Sequence, residues 1–149
     1  MSMPVLRPGL KEDEPSIRTL LECEGLPTSD LLTAQPAFLV ACENGRIIGV
    51  GALQQYGATA LLRSLAVAPH RRGMGLGRVL IDALEQRAAE SGVTELVLLT
   101  ETARRFFEHQ GYRVIERQSV AAAVQASEEF RSLCPASAAC MAKTLATFP

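Results

Sequence analysis

Residues 61–77 run Leu61-Leu62-Arg63-Ser64-Leu65-Ala66-Val67-Ala68-Pro69-His70-Arg71-Arg72-Gly73-Met74-Gly75-Leu76-Gly77, an apolar segment closed by proline and followed by three alternating glycines. The apolar run begins at Ala60, so residues 60–67 read as a buried strand that Pro69 ends. Past the glycines, Leu76, Val79, Leu80, Ala83, Leu84 and Ala88 recur at helical spacing, with Asp82, Glu85, Gln86 and Glu90 on the outer face. The first amides of such a helix have no intrahelical partner, and its dipole stands behind them. A strand, a glycine loop and a helix N-terminus in this order predict a cradle for a phosphate or pyrophosphate.

The flanking segments complete the architecture. Val5–Arg7 is a short strand stopped by Pro8-Gly9, and Ile17, Leu20 and Leu21 give residues 12–23 a helical face. Residues 28–36 form a short segment with Leu31 and Leu32, cut by Pro36. Phe38–Glu43 and Arg46–Leu53 flank Asn44-Gly45, the favoured two-residue hairpin turn. Thr94–Leu99 reads as a buried strand, Ala103–His109 as a helix, Tyr112–Ile115 as a strand, Ala121–Leu133 as a helix and Ala138–Leu145 as a final strand. The prediction is an α/β (α+β) fold with a mixed central sheet of about six to seven strands flanked by helices.

The chain has 149 residues, which predicts one domain over 1–149. With 48% hydrophobic and 21% charged residues, disorder, collagen and coiled coil are excluded. No apolar run approaches the roughly 20 residues of a membrane helix. The start, MSMPVLRPGLKEDEPS, turns acidic without an apolar signal core, so a cytoplasmic protein without membrane partners is expected. The net charge of −1 argues against nucleic acid. Thirteen of the 15 basic residues are Arg, suited to small anions or, alternatively, to solvated helix faces. The four cysteines show no CxxC spacing, and His70 and His109 lie far apart, so no metal site is expected.

Two phosphate-loop types fail on the residues. A Walker loop needs Lys-Ser/Thr where Arg78-Val79 follow Gly77. A dinucleotide fingerprint needs its third glycine one place later, and Glu95 opens its strand where that fold wants an acid at a strand end. The pattern Arg/Gln-x-x-Gly-x-Gly after an x-Val-x-Pro turn does match, at Arg72–Gly77. Here the chain resembles the GCN5-related N-acetyltransferase (GNAT) superfamily. Ala103-Arg104-Arg105-Phe106-Phe107-Glu108-His109-Gln110-Gly111-Tyr112 resembles the same family's helix-to-strand signature. The stretch Glu129–Met141, with the Phe-Phe helix, is similar to the short acetyltransferases associated with arsenic-resistance operons, a likeness covering most of 60–145.

The resemblance implies an acyl-CoA N-acyltransferase fold and acetyl transfer from acetyl-CoA directly to an amine, without a metal. Backbone groups of Leu65, Ala66 and Val67 would meet the pantetheine arm, and amides of Arg72, Gly73, Met74, Gly75, Leu76 and Gly77 the pyrophosphate. The acetyl carbonyl would lie where the 60–67 and 94–99 strands splay, polarised by the Val67 N–H. Phe107 falls on the cofactor side, where relatives often carry the tyrosine that protonates the departing thiolate, and it has no proton to give. Thr100 stands where an asparagine is frequent, and Arg63 and Ser64 where a glutamate is. Glu101, Tyr56 and Tyr112 are the candidate substitutes for the missing acid and base. Arg63 either faces the splay and holds an oxyanion of the acceptor, or turns away and covers the other sheet face with its stem.

The implied partners are acetyl-CoA and a small-molecule amine, in the nearer likeness an amino-acid-like arsenical or phosphinate; a homodimer is left open. The alternative is a catalytically silent acyl-CoA-binding or arsenic-sensing module. For it Cys134 and Cys140 would offer soft thiolates, unless Cys140 is simply a core residue.

Overall fold

The Asn44-Gly45 turn takes positive φ at both residues, 51° and 75°, the conformation that a two-residue hairpin turn needs. It joins β2 (Ala37–Glu43) to β3 (Arg46–Tyr56), which pair antiparallel from Glu43↔Arg46 onward. β1 (Val5–Pro8) lies antiparallel on the other edge of β2. The computed structural model describes residues 4–145. Its mixed sheet has seven strands in the order β1-β2-β3-β4-β5-β7-β6. β4 (Thr59–Val67) runs parallel to β5 (Glu95–Thr100) through Thr59↔Glu95 to Leu61↔Val97. β7 (Ala139–Thr144) is antiparallel to β5, and β6 (Arg113–Val114) pairs with β7.

The described residues pack as two compact units, and β3 and β4 each contribute to both. The first unit holds residues 4–53 and 64–84. α1 (Glu14–Cys23) buries Ile17, Leu20 and Leu21, the face that its periodicity predicts. It is preceded by a tighter turn, Lys11–Asp13, so the helix begins two residues later than the sequence suggests. α2 (Leu31–Ala34) is a single turn.

α3 (Leu76–Glu90) lies close on β3, because Gly49 and Gly51 carry no side chain there. A Cβ at Gly51 would stand 2.6 Å from Leu84 Cδ1, and one at Gly49 3.0 Å from Leu80 Cδ1. Gly51→Val is therefore expected to lower stability by about 1–3 kcal/mol in a urea titration. An unchanged midpoint would mean that the helix has room to move.

The second unit holds residues 54–63 and 85–145. Its core is Leu61, Val97, Val120, Val124, Phe130, Cys140 and Ala142, drawn from three strands (β4, β5 and β7) and the segment between β6 and β7. The single helix expected over 121–133 is corrected here. α5 (Ala122–Gln125) ends after one turn, and a separate π-helical segment, Glu129–Leu133, follows. Ser127 makes the break: its hydroxyl donates to Val124 C=O at 2.6 Å and accepts the Phe130 N–H at 3.4 Å. A side chain that satisfies the end of one helix and the start of the next competes with continuous helix. α4 (Arg104–His109) falls within its expected range. The strand expected over 112–115 is shorter, but Ile115 N–H still reaches Cys140 C=O at 2.9 Å.

Candidate functional site

β4 ends where Ala68 N–H donates to Ile48 C=O at 2.8 Å. Pro69–Arg71 then form one 3₁₀ turn, which directs the chain toward α3. The Arg72 N–H, counted from sequence among the pyrophosphate donors, reaches Pro69 C=O at 3.3 Å. Gly73 and Gly75 sit at φ 77° and 80°, in the left-handed region that favours glycine. A Cβ on either would meet nothing within 4 Å, so the loop backbone stands open. The first i→i−4 bond at the start of α3 runs from Val79 N–H to Gly75 C=O at 3.1 Å. The amides of Leu76, Gly77 and Arg78 precede it and have no carbonyl four residues behind them inside the helix. Leu76 is buried against β3 and fixes this end, while Met74 is exposed on the loop. The geometry is an open, cradle-shaped loop at a helix N-terminus.

Both arginines before the cradle are paired. Arg71 Nη1 bonds Glu43 Oε2, and Arg72 Nη2 bonds Glu24 Oε1. Glu24 and Glu43 carried no signal in the sequence, since their partners lie 48 and 28 positions away.

Within β4, Leu65, Ala66 and Val67 stay extended, and Ala66 is buried. Ser64 is different: it takes φ 57° in mid-strand, where a non-glycine residue costs about 1–3 kcal/mol. One residue in that conformation bends a strand and re-aims its neighbours, as bulges do beside binding sites.

Arg63 lies beside it in the second unit, with a fully buried side chain. Its Nε stands 3.5 Å from Glu129 Oε1, and its Nη1 donates to Gln54 Oε1 at 3.2 Å. Gln54 Nε2 donates in turn to the Tyr56 hydroxyl at 2.6 Å. The guanidinium read from sequence as an acceptor fork is thus engaged by protein groups.

The remaining candidates are placed as follows. Phe107 is buried and packs edge-on against Tyr112, with ring centroids 5.5 Å apart. Tyr112 donates its hydroxyl to Glu85 Oε2 at 2.9 Å, and Lys143 Nζ donates to Glu85 Oε1 at 2.9 Å. Tyr112 is therefore a packing residue tied to α3. The Thr100 hydroxyl accepts the Ala103 N–H at 3.0 Å and closes the turn into α4. Glu101 is exposed just past β5.

Burial pushes the Cys134 thiol up to about 11, with Glu129 and Glu101 adding to the effect. Burial also raises Cys140, which sits in the core cluster. Neither supplies a thiolate near neutral pH. Among the described residues, no three His, Cys, Asp or Glu side chains are grouped to hold a metal ion, and no helix is long and apolar enough to cross a membrane.

A model of the acetyltransferase (GNAT) family matches residues 7–112. An uncharacterized N-acetyltransferase from Chlorobaculum tepidum is 39% identical over 82 residues, which is 54% of this chain and 52% of that protein. An amino-acid acetyltransferase from Mannheimia succiniciproducens is 30% identical over 79 residues, 52% of this chain and 18% of that protein. The chain therefore spans about half the length of the first relative and less of the second. Among solved structures, Rv2747 from Mycobacterium tuberculosis, in complex with CoA, is 26% identical with a TM-score of 0.82, covering 96% of this chain and 100% of that one. With both the glycine loop and the Phe-Phe helix inside the matched span, the chain belongs to the acetyltransferase (GNAT) family.

Proposed function

We propose that this protein transfers an acetyl group from acetyl-CoA to the amine of a small, amino-acid-like molecule. The observation that carries the reading is the open cradle, where left-handed Gly73 and Gly75 and the first amides of α3 surround a space that protein atoms leave free. That space suits a diphosphate, which the N–H groups and the helix dipole would hold. Acetyl-CoA would supply the activated thioester. The protein's share is then to orient it along Leu65–Val67, to polarise the carbonyl with the Val67 N–H and to accept a proton from the amine. Glu101 is the carboxylate we assign to that proton. Arg63 and Ser64, midway along β4, would shape the acceptor's position: Ser64 through its bend, Arg63 as a charge that Glu129 and Gln54 hold rather than as a free fork.

The acceptor class rests on the name of the Mannheimia succiniciproducens relative, an amino-acid acetyltransferase. Phosphinate and arsenical amino acids are the narrower candidates, consistent with the arsenic-associated likeness of residues 129–141. A thiol-release assay with acetyl-CoA over ordinary, phosphinate and arsenical amino acids, with acid-free amines beside them, tests this. Release with the acid-bearing amines is expected. CoA binding without release from any amine would make the protein a silent acyl-CoA binder.

Phe107 has no proton for the departing thiolate, which is protonated by water or another group or leaves as the anion. Phe107→Tyr is expected to fold and to keep at least the parent turnover. Collapse of turnover with CoA binding preserved would show that the apolar ring itself is required.

A further inference from the structure

Two arginines lead into the cradle, and each meets a carboxylate from outside the loop. Arg71 and Glu43 are a sheltered pair, with side chains 13% and 19% exposed. The Arg71 Nε is buried and finds no hydrogen-bond partner among the described residues. Arg72 is different. Its side chain is 54% exposed, while that of its partner Glu24 is only 18% exposed.

Glu24 is also in an unfavourable place. It is the C-cap of α1, followed by Gly25 at φ 71°, with Gly25 N–H bonded to Glu22 C=O and Leu26 N–H to Leu21 C=O. A carboxylate there faces the negative end of the helix dipole, and the last turn of α1 holds no basic residue. The cation that offsets Glu24 is Arg72, at the edge of the anion cradle.

We propose that Glu24 is a built-in competitor for the incoming diphosphate: it occupies Arg72 in the free protein, and binding of CoA exchanges this carboxylate for phosphate oxygen. The inference rests on the functional reading above and goes beyond it by naming the residue that restrains CoA affinity. An exposed ion pair is a modest restraint, and its loss converts to no more than about a fivefold change in affinity. The pair is therefore suited to weakening CoA binding enough for product release without abolishing it.

The test is CoA titration by calorimetry at low ionic strength with Glu24→Gln, and with Glu24→Ser as a second removal of the carboxylate. Each is expected to bind CoA about two- to fivefold more tightly than the parent, and added salt should erase the gain. S-acetylpantetheine, which lacks the diphosphate, should gain nothing. In an Arg72→Ala background the Glu24→Gln gain should vanish. Unchanged or weaker CoA binding by both Glu24 variants, or an equal gain without Arg72, overturns the proposal alone. Failure of the parent protein to bind CoA overturns the functional reading and this inference with it.

Discussion

Glu129→Leu is expected to lower the unfolding free energy by about 3–5 kcal/mol, the usual cost of removing one member of a buried ion pair. The Arg63 side chain is fully buried and that of Glu129 is 5% exposed, so water cannot replace the lost carboxylate. Gln54 Oε1 still accepts from Arg63 Nη1 at 3.2 Å. In a domain of about this size each kcal/mol moves Tm by roughly 2–4 °C, so calorimetry should show a fall of about 6–20 °C.

The double variant Arg63→Met/Glu129→Leu should recover most of that loss, because apolar side chains of similar volume often serve as well as a buried ion pair. It also separates packing from chemistry. If Arg63 matters only for folding, the restored double variant turns over acid-bearing amines like the parent. If its fixed charge helps orient the acceptor, kcat/KM falls while stability does not. A single Glu129→Leu variant within about 1 kcal/mol of the parent would show that solvent reaches the pair.

This pair also marks the limit of what the sequence reveals. The hairpin at Asn44-Gly45 and the helix from Leu76 are legible because turn chemistry and apolar spacing act over a few neighbouring residues. The glycine cradle is legible for the same reason: strand, loop and helix N-terminus are contiguous. Ser127 is not, since apolar residues continue at helical spacing past it and only its hydroxyl's two hydrogen bonds reveal the break. Glu129 sits in a segment that reads as an ordinary amphipathic helix, and nothing local shows that a charged position there is buried. Its meaning comes from Arg63, 66 positions earlier. Ser64 gives no compositional sign of its positive φ. The local geometry of the candidate site is readable in the sequence, while its charge pairing depends on contacts between distant segments.

Gly75→Val should weaken CoA binding by about 100-fold or more, through two effects that one substitution combines. The first is backbone strain. At φ 80° a β-branched residue is disfavoured by about 1–3 kcal/mol, and this part appears as lost stability. The second is occupancy of the cradle. Nothing lies within 4 Å of a Cβ at this position, so the folded protein accepts the side chain, which would then compete with a diphosphate for the open loop. Losing two charge-assisted hydrogen bonds to a diphosphate, at about 1.5–3 kcal/mol each, accounts for a 100-fold change. Gly57→Val isolates the first effect. Gly57 has φ 68° and equally open surroundings, but it lies in the turn before β4, outside the 72–77 loop. It should lose stability much as Gly75→Val does and keep the parent's affinity for CoA. If both variants fold and calorimetry finds the same CoA affinity in each, the diphosphate does not bind over Gly75 and the cradle is not the CoA site.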